Sequence, residues 1–386
     1  MKKQLIPTLL ASLLFGVSSA QAQYEIRMPT GAVSTTAEAA PASGSASTFF
    51  QGAYHQFAIS NDGTVYGSGY NGLGGLGLGH TTAQSAWVDS GLSNVKNMYL
   101  GVYASIAVHN DNTYSVAGRN DRGQLGTGTL ANHLSWTSMT TISDVDSFYP
   151  GNESYLALKN DGTLWGAGKG TDGRFGVGSA ENLPNWTQLA ITDIKQVSVG
   201  DNHSLVLKND GTLWAAGYAS QGQLGNNAIT NSNSWVNSLS NVASIAAGGY
   251  ASFAVKTDGT VWVTGQNANG GLGLGHTNFI KVWTPSSLTD VKKIVVGNGA
   301  NYILKNDNTL WVAGYAANGL MGTGTTTNQH NWIQTATDVS EIHVVGPHAT
   351  HIKLDGTIWM TGWNGYGQMP FGDTANRLTW TETTLP

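Results

Sequence analysis

The residues that could do chemistry in this chain are few, and their arrangement is repetitive. Ten histidines and 23 acidic side chains are spread over 386 residues, with no cysteine. That removes thiol nucleophiles, disulfides and thiolate-bound zinc together. No His-Glu-x-x-His or calcium-loop spacing occurs, so no metal site is expected. Glycine strings such as Gly72-Leu-Gly-Gly-Leu-Gly-Leu-Gly79 resemble phosphate loops. That chemistry requires a helix whose N-terminus faces the phosphate, and no helical pattern follows any of them. No cofactor is expected. Seven aspartates, Asp62, Asp111, Asp161, Asp210, Asp258, Asp307 and Asp355, recur at spacings of 49, 50, 49, 48, 49 and 48 residues. Carboxylates repeated so evenly within one phrase are turn residues, not a nucleophile, acid and base. No blade-specific catalytic set can be named, and the chain reads as a binding protein. A polysaccharide lyase or hydrolase is the remaining catalytic alternative.

The elements that carry these residues follow from the same repeat. Each aspartate lies in a phrase like Asn209-Asp-Gly-Thr-Leu-Trp-Ala-Ala-Gly, and a tryptophan stands 25 residues after each: Trp87, Trp136, Trp186, Trp235, Trp283, Trp332 and Trp380. One unit contains four strand-like segments: 194–199, 203–208, 212–216, and a fourth around Trp235. Between the second and third lies Asn-Asp-Gly, a tight hairpin whose glycine supplies positive φ. Asn112 and Asn308 take the place of that glycine in two copies, and asparagine is the best substitute there. A four-stranded meander repeated seven times predicts an all-β fold, a seven-bladed β-propeller of four-stranded antiparallel blades. An open β-solenoid is the alternative, but the last copy is nearly as regular as the others, which favours a closed ring. Trp165, Trp214, Trp262, Trp311 and Trp359, at one hairpin position, and the seven spaced tryptophans are assigned to packing between blades.

The repeat resembles that of the regulator of chromosome condensation family. The resemblance rests on Gly200-Asp-Asn-His203-Ser-Leu, the Asp-Gly-Thr-Leu-Trp hairpin, and Gly217 followed by Gly222-Gln-Leu-Gly225, and it covers about residues 46–386. The family histidine is retained as His55, His203 and His348, read as satisfied structural groups. It is Ala104, Ser154, Ala251 and Ala300 elsewhere, and the seventh unit has Met369-Pro370 in place of Leu-Gly. The resemblance implies a seven-bladed propeller. The family's name-giving member acts as an exchange factor on a nuclear GTPase, a partner that an exported chain does not meet. Exported bacterial relatives include a proteinaceous inhibitor of β-lactamases, which implies a protein-binding disc.

The start of the chain carries the export reading. Residues 1–22 have Lys2 and Lys3, an apolar run from Leu5 to Val17, and an Ala20-Gln-Ala22 cleavage site, the pattern of a bacterial secretory signal. The apolar run is too short for a membrane span. Removing both lysines takes the net charge from −5 to −7, so nucleic acid is not an expected partner. Residues 23–45 read as a flexible Ala/Ser/Thr-rich leader, and residues 46–386 as the propeller. The expected product is a periplasmic or extracellular monomer without a membrane span.

Function is sought where the repeat varies. In a meander, the loops joining strands one and two, and three and four, emerge on one face. The first set offers Tyr54, Tyr103, Glu153, Asn202, Tyr250, Gly299 and Pro347. The second offers Tyr70, Arg119, Lys169, Tyr218, Gln266, Tyr315 and Trp363. Tyrosine, tryptophan and arginine dominate binding hot spots, so this face is the candidate surface for another protein. A glycan stacked on Trp363 or a tyrosine beside Asn364 or Asn71 is the alternative ligand. Variation from blade to blade favours one composite protein surface over a repeated sugar site.

Overall fold

The computed structural model describes residues 33–34 and 48–384. The proposed signal segment and nearly all of the leader lie outside the described residues. Val33–Ser34 is the exception, pairing antiparallel with Leu100 and Tyr99. The rest forms seven sheets, each a four-stranded antiparallel meander from one contiguous stretch: 48–89, 95–139, 145–188, 194–239, 242–285, 291–336 and 339–383. We number these blades 1 to 7. Among the described residues, blades 1 and 7 exchange no strand.

Each blade is held by the phrase that repeats. In blade 4, Asp210 Oδ1 accepts bonds from the Thr212 amide at 2.8 Å and the Thr212 hydroxyl at 2.6 Å. Trp214 Nε1 donates to the same hydroxyl at 2.9 Å, and Lys208 Nζ lies 4.8 Å above the indole. The same chain of contacts recurs at Asp161, Asp258, Asp307 and Asp355. These bonds, led by the threonine hydroxyl, hold the Asp210 carboxyl below its ordinary range. The aspartates are turn residues in fact. The hairpin glycines and their two substitutes are left-handed, with φ of 78° at Gly211, 65° at Asn112 and 62° at Asn308.

The core is a series of seams between blades. Leu205, Leu207, Leu213 and Ala215 of blade 4 pack on Val242, Ile245 and Ala247 of blade 5, with Trp283 and Trp262 against them. The spaced tryptophans have a particular seat. Each of six lies flat on a glycine of the preceding blade: Trp136 on Gly77, Trp186 on Gly126, Trp235 on Gly176, Trp283 on Gly225, Trp332 on Gly273 and Trp380 on Gly322. The second glycine of the Gly-Gln-Leu-Gly phrase therefore exists to let an indole touch backbone. Polar groups cross the seams too. Tyr155 Oη of blade 3 donates to the Ala104 carbonyl of blade 2 at 2.9 Å, fully buried. Tyr155→Phe is expected to lower stability by about 1 kcal/mol, read as a lower urea midpoint with unchanged slope.

The family histidines are buried, but they do not all find partners. His55 Nε2 bonds Ser105 at 2.7 Å and His203 Nε2 bonds Ser252 at 2.9 Å. Each serine hydroxyl in turn donates a hydrogen bond to a carbonyl of the blade before it, that of Gly75 or Gln223. His348 departs from expectation, since neither ring nitrogen has a partner among the described residues. The blade it faces carries Gln56 where the other two recipients carry serine.

Candidate functional site: the loop face

The two variable loop sets lie on one face, joined blade by blade through the backbone. The amide of Tyr70 donates to the carbonyl of Tyr54, Arg119 to Tyr103, Lys169 to Glu153, and Tyr218 to Asn202. Gln266 donates to Tyr250, Tyr315 to Gly299 and Trp363 to Pro347, all at 2.7–3.0 Å. This bond places the two variable residues of each blade side by side.

Around the ring the candidates separate into sectors. Tyr54, Tyr70, Tyr103 and Trp363 come together over blades 7, 1 and 2. Tyr54 stacks on Tyr103 at 5.2 Å between ring centroids and meets Trp363 edge-on at 6.0 Å, and Tyr70 lies 5.3 Å from Tyr103. A fifth ring, Tyr366, completes the patch at 4.8 Å from Tyr70, 4.9 Å from Trp363 and 5.9 Å from Tyr54. Tyr366 is 38% exposed and the other four are half-buried. Sequence reasoning passed over it because it belongs to a third variable position, just before the first glycine of the Gly-Gln-Leu-Gly phrase. There the other blades carry Leu73, Arg122, Asp172, Gln221, Asn269 and Asn318.

Two glycines set the patch. A Cβ at Gly72 would fall 2.3 Å from the Tyr70 hydroxyl oxygen, and one at Gly365 would fall 2.3 Å from Trp363 Cζ2. Tyr70 and Trp363 thus lie back over the backbone two residues on. No other blade has glycine there: the equivalents are Asp121, Thr171, Ser220, Ala268 and Ala317. Burial pushes the Tyr103 phenol up to about 12 and raises Tyr54, so both stay neutral.

The next sector is charged but closed. Arg119 bridges Asp121 at 2.7 Å and Glu153 at 2.9 Å, and Lys169 meets the other Glu153 oxygen at 2.6 Å. Burial works against ionisation of Glu153, but the Lys169 hydrogen bond and the Lys169 and Arg119 charges prevail and hold it below the ordinary carboxylate range. At neutral pH this carboxyl is ionised, committed, and no proton donor.

Beyond it, Tyr218 and Tyr250 lie 5.7 Å apart. Asn202 donates to the Tyr250 hydroxyl at 3.3 Å and accepts from Arg174 at 2.6 Å. Arg174 occupies the phrase's glutamine position, is 1% exposed and is paired with Asp172 at 2.8 Å. Gln266 lines a shallow cleft with Tyr250, Asn269 and Gly299. Tyr315 is 39% exposed and has no ring neighbour within the described contacts.

The polar groups assigned to a glycan are spent elsewhere. Asn71 is buried, donating to the His80 carbonyl at 2.7 Å and accepting from the Leu76 amide at 2.9 Å. Asn364 is likewise buried, donating to the Asp373 carbonyl and accepting from the Met369 amide. Both clamp their own loops, so neither stands beside a ring as a sugar donor.

Comparison with known proteins agrees with this architecture. The family description "Regulator of chromosome condensation (RCC1) repeat" matches residues 194–223 and 242–270, within blades 4 and 5. No curated protein sequence matches. Among solved structures, Prp20p from Saccharomyces cerevisiae, described with its binding to Gsp1p and histones, is similar at a TM-score of 0.74. It is 16% identical, over 83% of this chain and 86% of that one. The same yeast protein bound to Kap60 also gives 0.74, at 15% identity over 99% and 90%. Human WBSCR16 gives 0.64, at 19% identity over 74% and 81%.

Proposed function

Taking the chain as a seven-bladed propeller of the regulator of chromosome condensation type, we propose that it is an exported, non-enzymatic scaffold that binds another protein through the Tyr54/Tyr70/Tyr103/Trp363/Tyr366 patch. The observation that carries this reading is the patch itself. Five rings from three blades form one uncharged, partly exposed surface, while the neighbouring charges neutralise one another. Aromatic anchors held in place before contact lose little entropy on binding, and Gly72 and Gly365 supply that hold. The yeast Prp20p structures described with Gsp1p, histones and Kap60 support protein binding by a chain of this fold. Export rests on the signal pattern of residues 1–22.

The test is capture by immobilised chain from the secreted and extracytoplasmic fractions of the source cells. Tyr70→Ala with Trp363→Ala is expected to weaken the captured complex about 100-fold or more. Tyr218→Ala with Tyr315→Ala should leave it within a few-fold of the original. Equal recovery by wild type and the first variant would rule out the patch.

A further inference from the structure

Six of the seven seams share one construction, and the seventh keeps its glycine contact, Gly367 on Ser85, but departs from the rest in several respects. Six carry nine to fifteen buried apolar residues, whereas the cluster between blades 7 and 1 has only Phe49, Ile358, Met360 and Met369. At one second-strand position, six blades direct Phe57, Ile106, Leu156, Leu205, Phe253 or Tyr302 into the core, each in register with the equivalent position of strand three. Blade 7 places Thr350 there, its hydroxyl buried and unpartnered. Backbone bridges link the glycine loop of each of blades 1 to 6 to the outer strand of the next, from Leu78–Ser135 to Thr323–Thr379. Among the described residues none links blade 7 to blade 1. Pro370 stands where the other blades seat the next tryptophan on glycine.

Inside this seam the polar and ring contacts are few, Gln51 Nε2 donating to the His348 carbonyl at 3.3 Å and Phe49 meeting His343 edge-on at 6.4 Å, and the largest ring cluster that crosses it is at the surface. Tyr54 and Tyr70 of blade 1 meet Trp363 and Tyr366 of blade 7 in three ring pairs, at 6.0, 5.9 and 4.8 Å. We infer that this aromatic patch is also the clasp that closes the ring, and that the propeller opens, when it opens, between blades 7 and 1. Edge-to-face pairs add stability beyond the area they bury, and here they supplement a seam whose own core is a fraction of the others. Local opening follows the least-supported contacts, and these are confined to one radius of the disc. On the function proposed above, a partner seated on the patch would also hold the seam shut, linking binding to closure. That consequence rests on the proposed function. The clasp does not, and it is tested on the chain alone.

The experiment is amide hydrogen exchange on the full chain, resolved by peptide. In the wild type, the strands at 48–51 and 339–353 are expected to exchange at least about tenfold faster than their equivalents in blades 3 to 5, a difference of about 1.4 kcal/mol. Tyr366→Ala, at an exposed position, should speed exchange of those same strands about tenfold further and leave blades 3 to 5 unchanged. Tyr315→Ala, exposed but without a ring partner, should change neither. Thr350→Val, which replaces the unpartnered hydroxyl at nearly constant volume, should slow exchange at the seam. Equal protection of all seven blades in the wild type would overturn the inference. So would a Tyr366→Ala effect spread evenly round the ring, or none at all. Loss of capture in the Tyr70/Trp363 variant with unchanged exchange would leave the binding reading intact and remove the clasp.

Discussion

Gly273→Ala is expected to destabilise the protein by about 3–5 kcal/mol, among the largest losses available from adding one carbon. The added Cβ would lie 2.0 Å from Trp332 Nε1 and 2.5 Å from two further indole atoms, where no side chain can sit. Trp332 cannot retreat cheaply, because it packs against the buried apolar cluster between blades 5 and 6. Gly273 also has φ of 64°, which penalises alanine by itself. Gly162→Ala separates the two effects. That glycine has φ of 81° but nothing within 4 Å of an added Cβ, so only the backbone cost of about 1–2 kcal/mol applies. Urea unfolding of both variants gives the difference, which reports the indole-on-glycine contact. Equal midpoints would mean the seams do not depend on it.

The second large effect is loss of stability in mild acid. Burial pushes His55 down to about 4 and His203 and His348 down to about 3, the last two aided by the charges of Arg174 and of His55 respectively. All three are neutral in the fold and ordinary, near 6.5, once unfolded. The unfolded chain therefore binds more protons below pH 6.5, and the fold loses stability from there down to the folded values near 3–4. At pH 4.5 each costs about 2–3 kcal/mol, about 8 kcal/mol together, against the 5–15 typical of a whole domain. His351, buried against Trp380 and also lowered to about 3, first by burial and then by Lys353, acts in the same direction. The turn aspartates, whose folded values are depressed from 3.8, add their loss only below that value. The two windows are thus separable. Urea midpoints should fall steeply between pH 6.5 and 4.5, and His203→Gln should flatten the slope. A flat profile over that interval would contradict the buried neutral histidines.

Most of the fold was legible in the sequence because its determinants are local and repeated seven times. The Asn-Asp-Gly-Thr turn, its two asparagine substitutes and the 25-residue offset to tryptophan each have a short-range cause, so repetition exposes them. The face of the candidate loops was legible too, since meander geometry alone dictates it. What could not be read was which loop residues touch. Tyr54 and Trp363 are 309 positions apart in sequence (363 − 54) and meet only because the ring closes. Tyr366 was hidden at a position whose other occupants share no chemistry. Asn71 and Asn364 looked available for a ligand, yet both are consumed by loop clamps whose acceptors lie nine residues on. The weakness of the last seam was partly visible as Met369-Pro370. Its meaning needed the seating of six tryptophans on six glycines.

The most direct test of the proposed function is a hydroxyl-radical footprint of the captured complex against the free chain. The account predicts that Tyr54, Tyr70, Tyr103, Trp363 and Tyr366 become protected while Trp214 and Trp262, beneath their lysines at the opposite turns, do not change. Protection of the Asn-Asp-Gly-Thr turns, with the five-ring patch still reactive, would contradict it.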